Sequence, residues 1–324
     1  IIIPTKNRCR QLSRLLDGLL PQIHPALEEV EIIIVDNQST DMTPQTIMEY
    51  RDRFGPHVHY ARETTPGPAS ARNCGIRLSR GEIIAFLDDD VIVWPDWIRV
   101  ILKTFQEFPD ADAIGGKIMA EYPENTPPWV KNNNDILNGP ILNNDHGPRT
   151  WRYQWPIAFT TATLAIRRRV LKDCGLFNTH LKLINPCLGE DAEMFHRLKR
   201  AGKRLYYCGA LGAVHPVDLK RTHWFYLMKW YCREGRWMGY YMRHYQPPEK
   251  KFCFCGIPVR LFPAFLSYLL KIFFNLFNTR GRLWNGICLM RTLGQIADHF
   301  RAWRESLMGK TGPHYPRWET PPAP

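Results

Sequence analysis

Short apolar runs alternate with longer amphipathic stretches along the first half of the chain. This pattern predicts strands over residues 1–3, 30–35, 57–60 and 82–87, and helices over residues 8–20, 43–54 and 69–78. Strands that alternate with helices indicate an α/β fold built on a doubly wound, mostly parallel sheet. Ligands bind such sheets beyond the carboxyl ends of the strands. Residues that bind a ligand or take part in a reaction are therefore expected directly after each strand.

The second half of the chain changes character twice. Residues 120–156 are rich in Pro, Asn and Gly and are predicted to form a long loop over the sheet. The α/β pattern then resumes with strands over 163–166, 204–207 and 213–215 and helices over 168–174 and 190–201. From residue 221 onward the sequence is helical, aromatic and basic.

The net charge of +12 lies entirely in the C-terminal third. Residues 220–324 contain seventeen Lys and Arg against five Asp and Glu, whereas residues 1–219 are neutral overall. The basic third is therefore expected to have a partner of its own. A disordered chain is excluded, because 11 Trp, 13 Tyr and 16 Phe provide ample apolar surface to bury.

The nine cysteines are scattered, without a Cys-x-x-Cys pair. This spacing argues against a disulfide framework or a zinc site and predicts reduced thiols, as in a cytoplasmic protein. The chain opens at Ile1 without a basic segment followed by an apolar one. No secretory signal is therefore expected.

Three adjacent carboxylates, Asp88, Asp89 and Asp90, follow a predicted apolar strand. Because they repel one another, a positive charge is expected among them. In an extended chain Asp88 and Asp90 share a face, which suits Mg²⁺ or Mn²⁺ held by carboxylates and phosphate oxygens. The alternative is a solvated acidic turn that precedes the next helix.

Two further polar residues, Asp36 and Arg72, lie at positions where contacts to a nucleotide are one interpretation. Asp36 follows a predicted apolar strand, where an acid can accept hydrogen bonds from a base or ribose. Arg72 lies in a helix that opens with small residues, which allow the backbone to approach a phosphate. The alternatives are an N-cap for Asp36 and an ordinary surface role for Arg72.

Glu190 and Asp191 begin a predicted helix, and His215 ends a short predicted strand. A carboxylate at a helix start can serve as a general base directed at the cleft, or it can simply complement the helix dipole. His215 is either a metal ligand or a core or capping histidine.

Together these segments resemble the family 2 glycosyltransferases, which are inverting enzymes of the GT-A fold. Five segments carry the resemblance, in the family's order and spacing: residues 2–8 (IIPTKNR), 34–41 (IVDNQSTD), 71–75 (ARNCG), 86–90 (FLDDD) and 189–191 (GED). The resemblance implies a catalytic domain over 1–219, with a nucleotide-binding half over 1–110 and an acceptor half over 111–219. Residues 220–324 then form a helical, basic extension.

The resemblance also implies a role for each candidate residue. The base of a nucleotide sugar is expected at Pro4, Thr5 and Asp36, with Arg72 nearby. Asp88 and Asp89 would contact the ribose and the sugar, while Asp90 and His215 would bind Mg²⁺ or Mn²⁺. Asp191 would be the catalytic base. Glu190 would either contact the acceptor or hold another site residue in place without touching the substrate. An ordinary carboxylate pKa would keep Asp191 ionised at neutral pH.

The implied reaction moves a sugar from a nucleotide diphosphate sugar, most simply a UDP-sugar, to a hydroxyl of a glycan or lipid-linked acceptor in cell-surface polysaccharide synthesis. The chain departs from relatives with a Gly-Ala-Asn-Leu-Ala strand, since residues 161–165 read TATLA, and it lacks the Gln-x-x-Arg-Trp motif of processive synthases. A single addition is therefore expected. Trp129, Trp151 and Trp155 either stack on sugar rings or anchor the long loop.

Residues 257–277 are strongly apolar, but Arg260 and Lys271 interrupt them. Because a spanning helix needs about twenty apolar residues, a transmembrane segment is not expected. Apolar faces beside Lys and Arg suit a helix that lies in an anionic membrane interface. The expected location is peripheral, on the inner face of the cell membrane. The alternative is a helical pair packed on the catalytic domain.

Three other classes of function match some features of the sequence. A pI near 9.3 and interleaved aromatic and basic residues suit a nucleic-acid-binding protein, but no nucleic-acid motif is present and no nucleic-acid partner is expected. A non-catalytic GT-A scaffold that binds membrane or nucleic acid is the alternative to an enzyme. A nucleotidyltransferase is disfavoured, because no Gly-rich phosphate loop with a following Lys appears after Ile3.

Overall fold

A computed structural model describes residues 1–23, 30–153, 159–179, 181, 189–245, 253–275 and 277–309. Its strands are β1 (Ile2–Thr5), β2 (Ile32–Asp36), β3 (Val58–Arg62), β4 (Ile83–Leu87), β5 (Ile92–Val93), β6 (Ala113–Glu121), β7 (Thr150–Arg152), β8 (Thr163–Arg167), β9 (Leu205–Pro216), β10 (Cys253–Phe254) and β11 (Ile257–Pro258). Its helices are α1 (Cys9–Leu19), α2 (Thr43–Phe54), α3 (Pro68–Leu78), α4 (Trp97–Glu107), α5 (Pro128–Lys131), α6 (Asn138–Ile141), α7 (Arg168–Cys174), α8 (Glu190–Arg200), α9 (Trp224–Tyr245), α10 (Leu261–Phe274) and α11 (Thr279–Leu307).

One mixed sheet organises the first two thirds of the chain. Its strand order is β3-β2-β1-β4-β8-β6-β9-β5, with β7 paired to β9. The strands β1 to β4 are parallel to one another, and β6 is parallel to β9, whereas β8 runs antiparallel between β4 and β6. The α/β fold class with its mostly parallel sheet is therefore confirmed.

Alternate residues of the central strands enter two different cores. Ile32 and Ile34 of β2 pack with α1, α2 and α4 on one face of the sheet, whereas Ile33 and Val35 pack with α3, α7 and α8 on the other. Successive side chains of a strand point to opposite faces. A strand that is apolar at every position therefore needs helices on both sides, which is the physical basis of the doubly wound arrangement.

Two predictions about local structure were wrong. The separate strands predicted over 204–207 and 213–215 are one strand, β9, which stays paired to β6 through a register shift between Gly116 and Lys117. The intervening glycines hid this continuity, because a bulge absorbs them without ending the strand. The loop predicted over 120–156 contains two short helices, α5 and α6, and the edge strand β7. These elements are set by packing against the rest of the fold. The sequence of the segment has no helix or strand periodicity that would have predicted them.

The C-terminal region is helical, as predicted. The helices α9 and α11 pack side by side, and a Cβ atom on Gly235 would collide with the carbonyl oxygen of Arg291. The glycine therefore lets the two backbones approach closely. Buried Asp298 of α11 accepts hydrogen bonds from Arg243 of α9 and from Arg301, which ties the pair together.

The helix α10 packs on α11 along one side and leaves large apolar side chains exposed on the other. We call this exposed set the apolar stripe; it comprises Phe262, Leu266, Leu269, Leu270, Phe273, Phe274 and, just beyond the helix, Phe277. Among the helices of the described ranges, none combines the length and the apolarity that a bilayer crossing requires.

Candidate active site

Most of the predicted site residues meet in one cleft of about 1110 Å³ at the carboxyl ends of β1 and β4. The strand β1 contributes Pro4 and Thr5, and α3 contributes Arg72. The loop after β4 contributes the three aspartates, and the first turn of α8 contributes Glu190 and Asp191. Segments more than 100 residues apart in the sequence thus converge, as expected where parallel strands end at one edge of a sheet.

Asp89 is held at the back of the cleft. Its carboxylate accepts a hydrogen bond of 2.7 Å from the Thr5 hydroxyl and one of 3.0 Å from Nη1 of Arg8. Burial raises the pKa of Asp89 to about 7, although the charge of Arg8 opposes the rise. Arg8 therefore supplies the positive charge that three adjacent carboxylates require.

Asp90 has the opposite electrostatic environment. Its Oδ2 atom lies 2.5 Å from Nη1 of Arg8, 3.3 Å from Nη2 of Arg221 and 3.6 Å from Nε2 of His215. Burial acts to raise the pKa of Asp90, but the interaction with His215 and the two guanidinium charges hold it well below the usual range. Asp90 is consequently the carboxylate of the three that stays ionised over the widest range of pH.

The orientation of His215 fits a role as a metal ligand beside Asp90. Its Nδ1 atom lies 3.0 Å from the carbonyl oxygen of Ile141, and because a carbonyl only accepts, Nδ1 carries the proton. Its Nε2 atom lies on the side of Asp90, and a carbonyl that fixes the other ring nitrogen is a second-shell arrangement found around metal-binding histidines. Among the described residues no group of three or more His, Cys, Asp or Glu is placed so that it could hold a metal ion. A divalent ion here would therefore take its other ligands from phosphate and water, which Mg²⁺ accepts.

Arg72 joins the two acidic parts of the cleft. Its Nη2 atom donates to Asp88 at 2.8 Å and its Nη1 atom donates to Glu190 at 2.9 Å. The arginine is buried, and the guanidinium lies over the ring of Phe177. The charges of Asp88 and Glu190 raise its pKa against the opposing effect of burial. This bridge holds the loop after β4 and the start of α8 at a fixed separation.

Asp191 lies in the first turn of α8, where its Oδ1 accepts a hydrogen bond of 2.8 Å from the N–H of Ala192. Burial and the charge of Glu190 raise the pKa of Asp191 to about 7, while Arg72 opposes the rise. The expectation of an ordinary carboxylate pKa was therefore wrong. The sequence shows the neighbouring Glu190 but not the burial, which comes from the walls of the folded cleft.

Asp36 lies outside the set of side chains that line the cleft. It is buried, and its oxygens accept hydrogen bonds of 2.8 Å from the N–H of Ser39 and 3.3 Å from the hydroxyl of Tyr60. Its neighbour Asn37 lines the cleft instead and holds the loop before α3 by donating to the carbonyls of Glu63 and Thr65. The role of Asp36 toward a base stays a prediction.

The helix α9 forms a cleft wall that the sequence analysis did not anticipate. Its cleft-facing residues recur with helical spacing, and they are Tyr226, Trp230, Arg233, Glu234 and Trp237. A Cβ atom on Gly189 would lie 2.8 Å from the ring of Trp237, and one on Gly139 would lie 2.5 Å from that of Trp230. The signal that would have revealed this wall is the polar and aromatic face of α9, opposite the face that packs on α11.

The long-loop tryptophans anchor the loop where the structure describes them. Trp129 packs against Trp224 with ring centroids 6.0 Å apart, and Trp151 packs against Tyr207 at 5.4 Å. Neither Trp129 nor Trp151 lines the cleft. Trp155 lies outside the described residues.

Comparison with known proteins gives the family. The sequence model for Glycosyl transferase family 2 matches residues 1–175, more than half of the chain. The chain belongs to glycosyl transferase family 2. Two curated members resemble it, validoxylamine A glucosyltransferase of Streptomyces hygroscopicus subsp. jinggangensis (33% identical over 128 residues) and glycosyltransferase AglE of Haloferax volcanii (25% over 217). The first match covers 40% of this chain and 30% of the relative, and the second covers 67% and 66%.

Solved structures show the same fold for this glycosyltransferase. The mannosyltransferase PcManGT of Pyrobaculum calidifontis, solved with GDP-Man and Mn²⁺, aligns with a TM-score of 0.61 at 18% identity, over 92% of this chain and 85% of its own. A form of TarS from S. aureus comprising its residues 1–349 aligns with a TM-score of 0.51 at 15% identity, over 95% and 90% of the two chains. At these identities the likeness concerns the GT-A fold, which is thereby confirmed together with the helical extension.

Proposed function

We propose that this protein is an inverting, metal-dependent glycosyltransferase that moves a sugar from a nucleotide diphosphate sugar, most simply a UDP-sugar, to a hydroxyl of an acceptor. The observation that carries the proposal is the Arg72 bridge, which sets Asp88 and Glu190 on opposite sides of one guanidinium within a single cleft. It gives the cleft a donor side at the strand ends and an acceptor side at the start of α8. TarS binds UDP-GlcNAc and PcManGT binds GDP-Man in their solved structures, which supports a nucleotide sugar as donor.

The chemistry assigned to the protein's own groups is proton removal and charge placement. Asp191 accepts the proton of the acceptor hydroxyl as the hydroxyl oxygen attacks the anomeric carbon. The diphosphate leaves from the opposite face, so the configuration inverts. Asp88 and Asp89 position the ribose and the sugar, and Pro4, Thr5 and Asp36 position the base, with Arg72 nearby. Glu190 keeps the first turn of α8 attached to Arg72.

Asp90 and Nε2 of His215 are the groups proposed to hold Mg²⁺ or Mn²⁺. A bound divalent ion supplies positive charge for the oxygens of the departing diphosphate. Arg8 and Arg221 also contact Asp90, through Nη1 at 2.5 Å and Nη2 at 3.3 Å, and compensate its charge. The Mn²⁺ named together with GDP-Man in the PcManGT structure supports the use of a divalent metal.

We further propose that residues 220–324 attach the protein peripherally to an anionic membrane surface on the cytoplasmic face, where a glycan or lipid-linked acceptor of cell-surface polysaccharide synthesis is met. The apolar stripe of α10 lies in a region that carries the whole excess of basic charge, which is the combination that favours an anionic interface. Replacing Leu266 and Phe273 together by Ser should release the protein from phosphatidylglycerol vesicles in a sedimentation assay. Unchanged sedimentation would contradict the attachment.

The donor site is tested by a thermal-shift panel of UDP, GDP, dTDP and CMP, each with and without Mn²⁺. Stabilisation by one nucleotide, and only with the metal, is expected because a ligand that binds the folded state alone raises the melting temperature. Asp90→Ala should abolish the metal dependence, whereas Asp173→Asn, an exposed change on α7, should preserve it. A shift that is equal with EDTA would contradict the metal site.

A non-catalytic scaffold that binds membrane or nucleic acid is the alternative. It predicts no nucleotide shift in the same panel and retained binding to vesicles or RNA. The paired placement of Asp191 and Glu190 beside the aspartates in one cleft favours the enzyme.

A further inference from the structure

A second cavity of about 540 Å³ lies between the loop before α6 and the start of α11. We call it the distal cavity. Its lining includes Asp135, Asn138, Asn278, Arg280, Trp284 and Arg291. Its volume falls within the range of about 300–1,000 Å³ that is typical of small-ligand sites. None of the roles proposed above uses it.

The distal cavity adjoins the catalytic cleft through two shared features. Asn138 lines both cavities. Arg291 of the distal cavity donates to Glu234 of the cleft wall through Nε at 2.7 Å and Nη2 at 3.2 Å. The two cavities are therefore neighbours that meet at Asn138 and at the Arg291–Glu234 pair.

The lining of the distal cavity has the chemistry of a sugar site. Arg280 makes a bidentate pair with Asp135, with Nη2–Oδ2 at 2.5 Å and Nη1–Oδ1 at 3.2 Å. Such a planar pair keeps further N–H donors and oxygen lone pairs for hydroxyl groups, which both donate and accept. The amide of Asn138 adds one donor and one acceptor group of the same kind.

Trp284 gives this polar cavity an aromatic surface. Its side chain is 48% exposed although it is large and apolar. A ligand that is apolar on one face and polar at its edge would cover the indole and satisfy the surrounding polar groups together. A pyranose ring has this character, because its C–H groups form a face and its hydroxyls form the rim.

We propose that the distal cavity binds a sugar unit of the acceptor beyond the unit that reacts, so the acceptor class is an oligosaccharide or glycan chain. This inference rests on the proposed transferase function. Trp284 stacks on the distal ring, and Arg280, Asp135 and Asn138 hold its hydroxyls. The acceptor then runs from Asp191 along α9 to the start of α11.

The test is the dependence of acceptor affinity on chain length. Cellobiose, maltose, chitobiose and mannobiose and their four tetrasaccharides are titrated into the full chain with UDP and Mn²⁺, and binding is followed by saturation-transfer NMR. In at least one series the tetrasaccharide should bind about tenfold more tightly than the disaccharide, which corresponds to 1.4 kcal/mol. Trp284→Ala should remove this difference, and Trp284→Phe should restore part of it.

Phe300→Ala is the matched control, because Phe300 is an exposed aromatic of the same helix outside both cavities. It should leave the preference for longer chains intact. The proposal is overturned if no series shows that preference, or if Trp284→Ala keeps it. The nucleotide panel run on the same variants separates the two hypotheses. Loss of every nucleotide shift counts against the transferase function, whereas normal nucleotide shifts without a chain-length effect count against the distal site alone.

Discussion

The part of the chain that contains the sheet, residues 1–219, and the helical part that follows, residues 220–324, differ in where their apolar and charged residues lie. The first part buries its apolar strands on both faces of the sheet and gathers carboxylates in one cleft. The helical region leaves the apolar stripe of α10 exposed and carries the whole excess of basic charge. Under the proposed function, the first arrangement would hold a small anionic ligand with a metal, and the second would meet a large anionic surface.

Residues on both sides of position 219 line the same cleft. The helix α9 belongs to the basic region by composition, yet its polar and aromatic face forms a wall of the candidate active-site cleft. Arg221, just before α9, reaches Asp90 at 3.3 Å. The C-terminal region is therefore part of the site. Substitutions in both regions test what each contributes.

The largest effect is expected from Asp191→Asn. Loss of a general base should lower the turnover of sugar transfer by about 10²–10⁴-fold, while nucleotide binding is retained because the donor side is unchanged. Transfer is measured as release of the nucleoside diphosphate in the presence of acceptor. Asp173→Asn serves as the control. Unchanged turnover of Asp191→Asn would remove this residue as the base.

Arg72→Met should cause the largest loss of stability. It leaves Asp88 and Glu190 without their shared partner in a buried setting, and breaking a buried pair by removing one partner costs about 3–5 kcal/mol. Urea unfolding measures the change in the free energy of unfolding. Arg77→Met, which removes a half-exposed arginine from its ion pair with Glu63 at 3.6 Å, should cost no more than about 1 kcal/mol. Equal losses would show that Arg72 is not a bridge.

The pH profile tests the environment of Asp191. Burial and Glu190 raise its pKa to about 7, and a base acts only when deprotonated, so kcat/KM should fall about tenfold per unit below pH 7 and level off above it. Glu190→Gln removes the neighbouring negative charge and should move the acid limb to lower pH. An acid limb near pH 4 in the unmodified protein would show that Asp191 is not desolvated in the free enzyme.

The smallest effect is expected on the free energy of unfolding, where the same Leu→Ala change is compared in the two regions. Leu266→Ala in the apolar stripe should change the free energy of unfolding by less than about 0.5 kcal/mol, because the side chain is 55% exposed. Leu164→Ala, the same change at a fully buried position of β8, should cost about 2–5 kcal/mol. A large loss for Leu266→Ala would mean that another part of the protein covers the stripe.

The candidate residues at the strand ends and those on α3 and α8 were predicted from the sequence, whereas those contributed by α9 and the segment before it were not. Thr5 and Asp88–Asp90 follow apolar strands, and sheet geometry alone brings such positions to one edge. Arg8 stood within a recognised segment, but only the structure shows that it spans Asp89 and Asp90. Arg221 and Trp237 were not predicted, because the polar and aromatic face of α9 can be assigned to the cleft only once the face that packs on α11 is known.

By itself, the sequence determined the α/β class and the position of Asp88–Asp90 at one sheet edge, because strand periodicity and chain order set which residues reach that edge. The resemblance carried by five segments pointed to the family and implied that Asp191 joins these aspartates. Tertiary structure alone decided the raised pKa of Asp191, the bridge made by Arg72 and the cleft wall made by α9. Each of these depends on desolvation or on contacts between segments distant in the chain, and neither burial nor long-range distance is written in local sequence order.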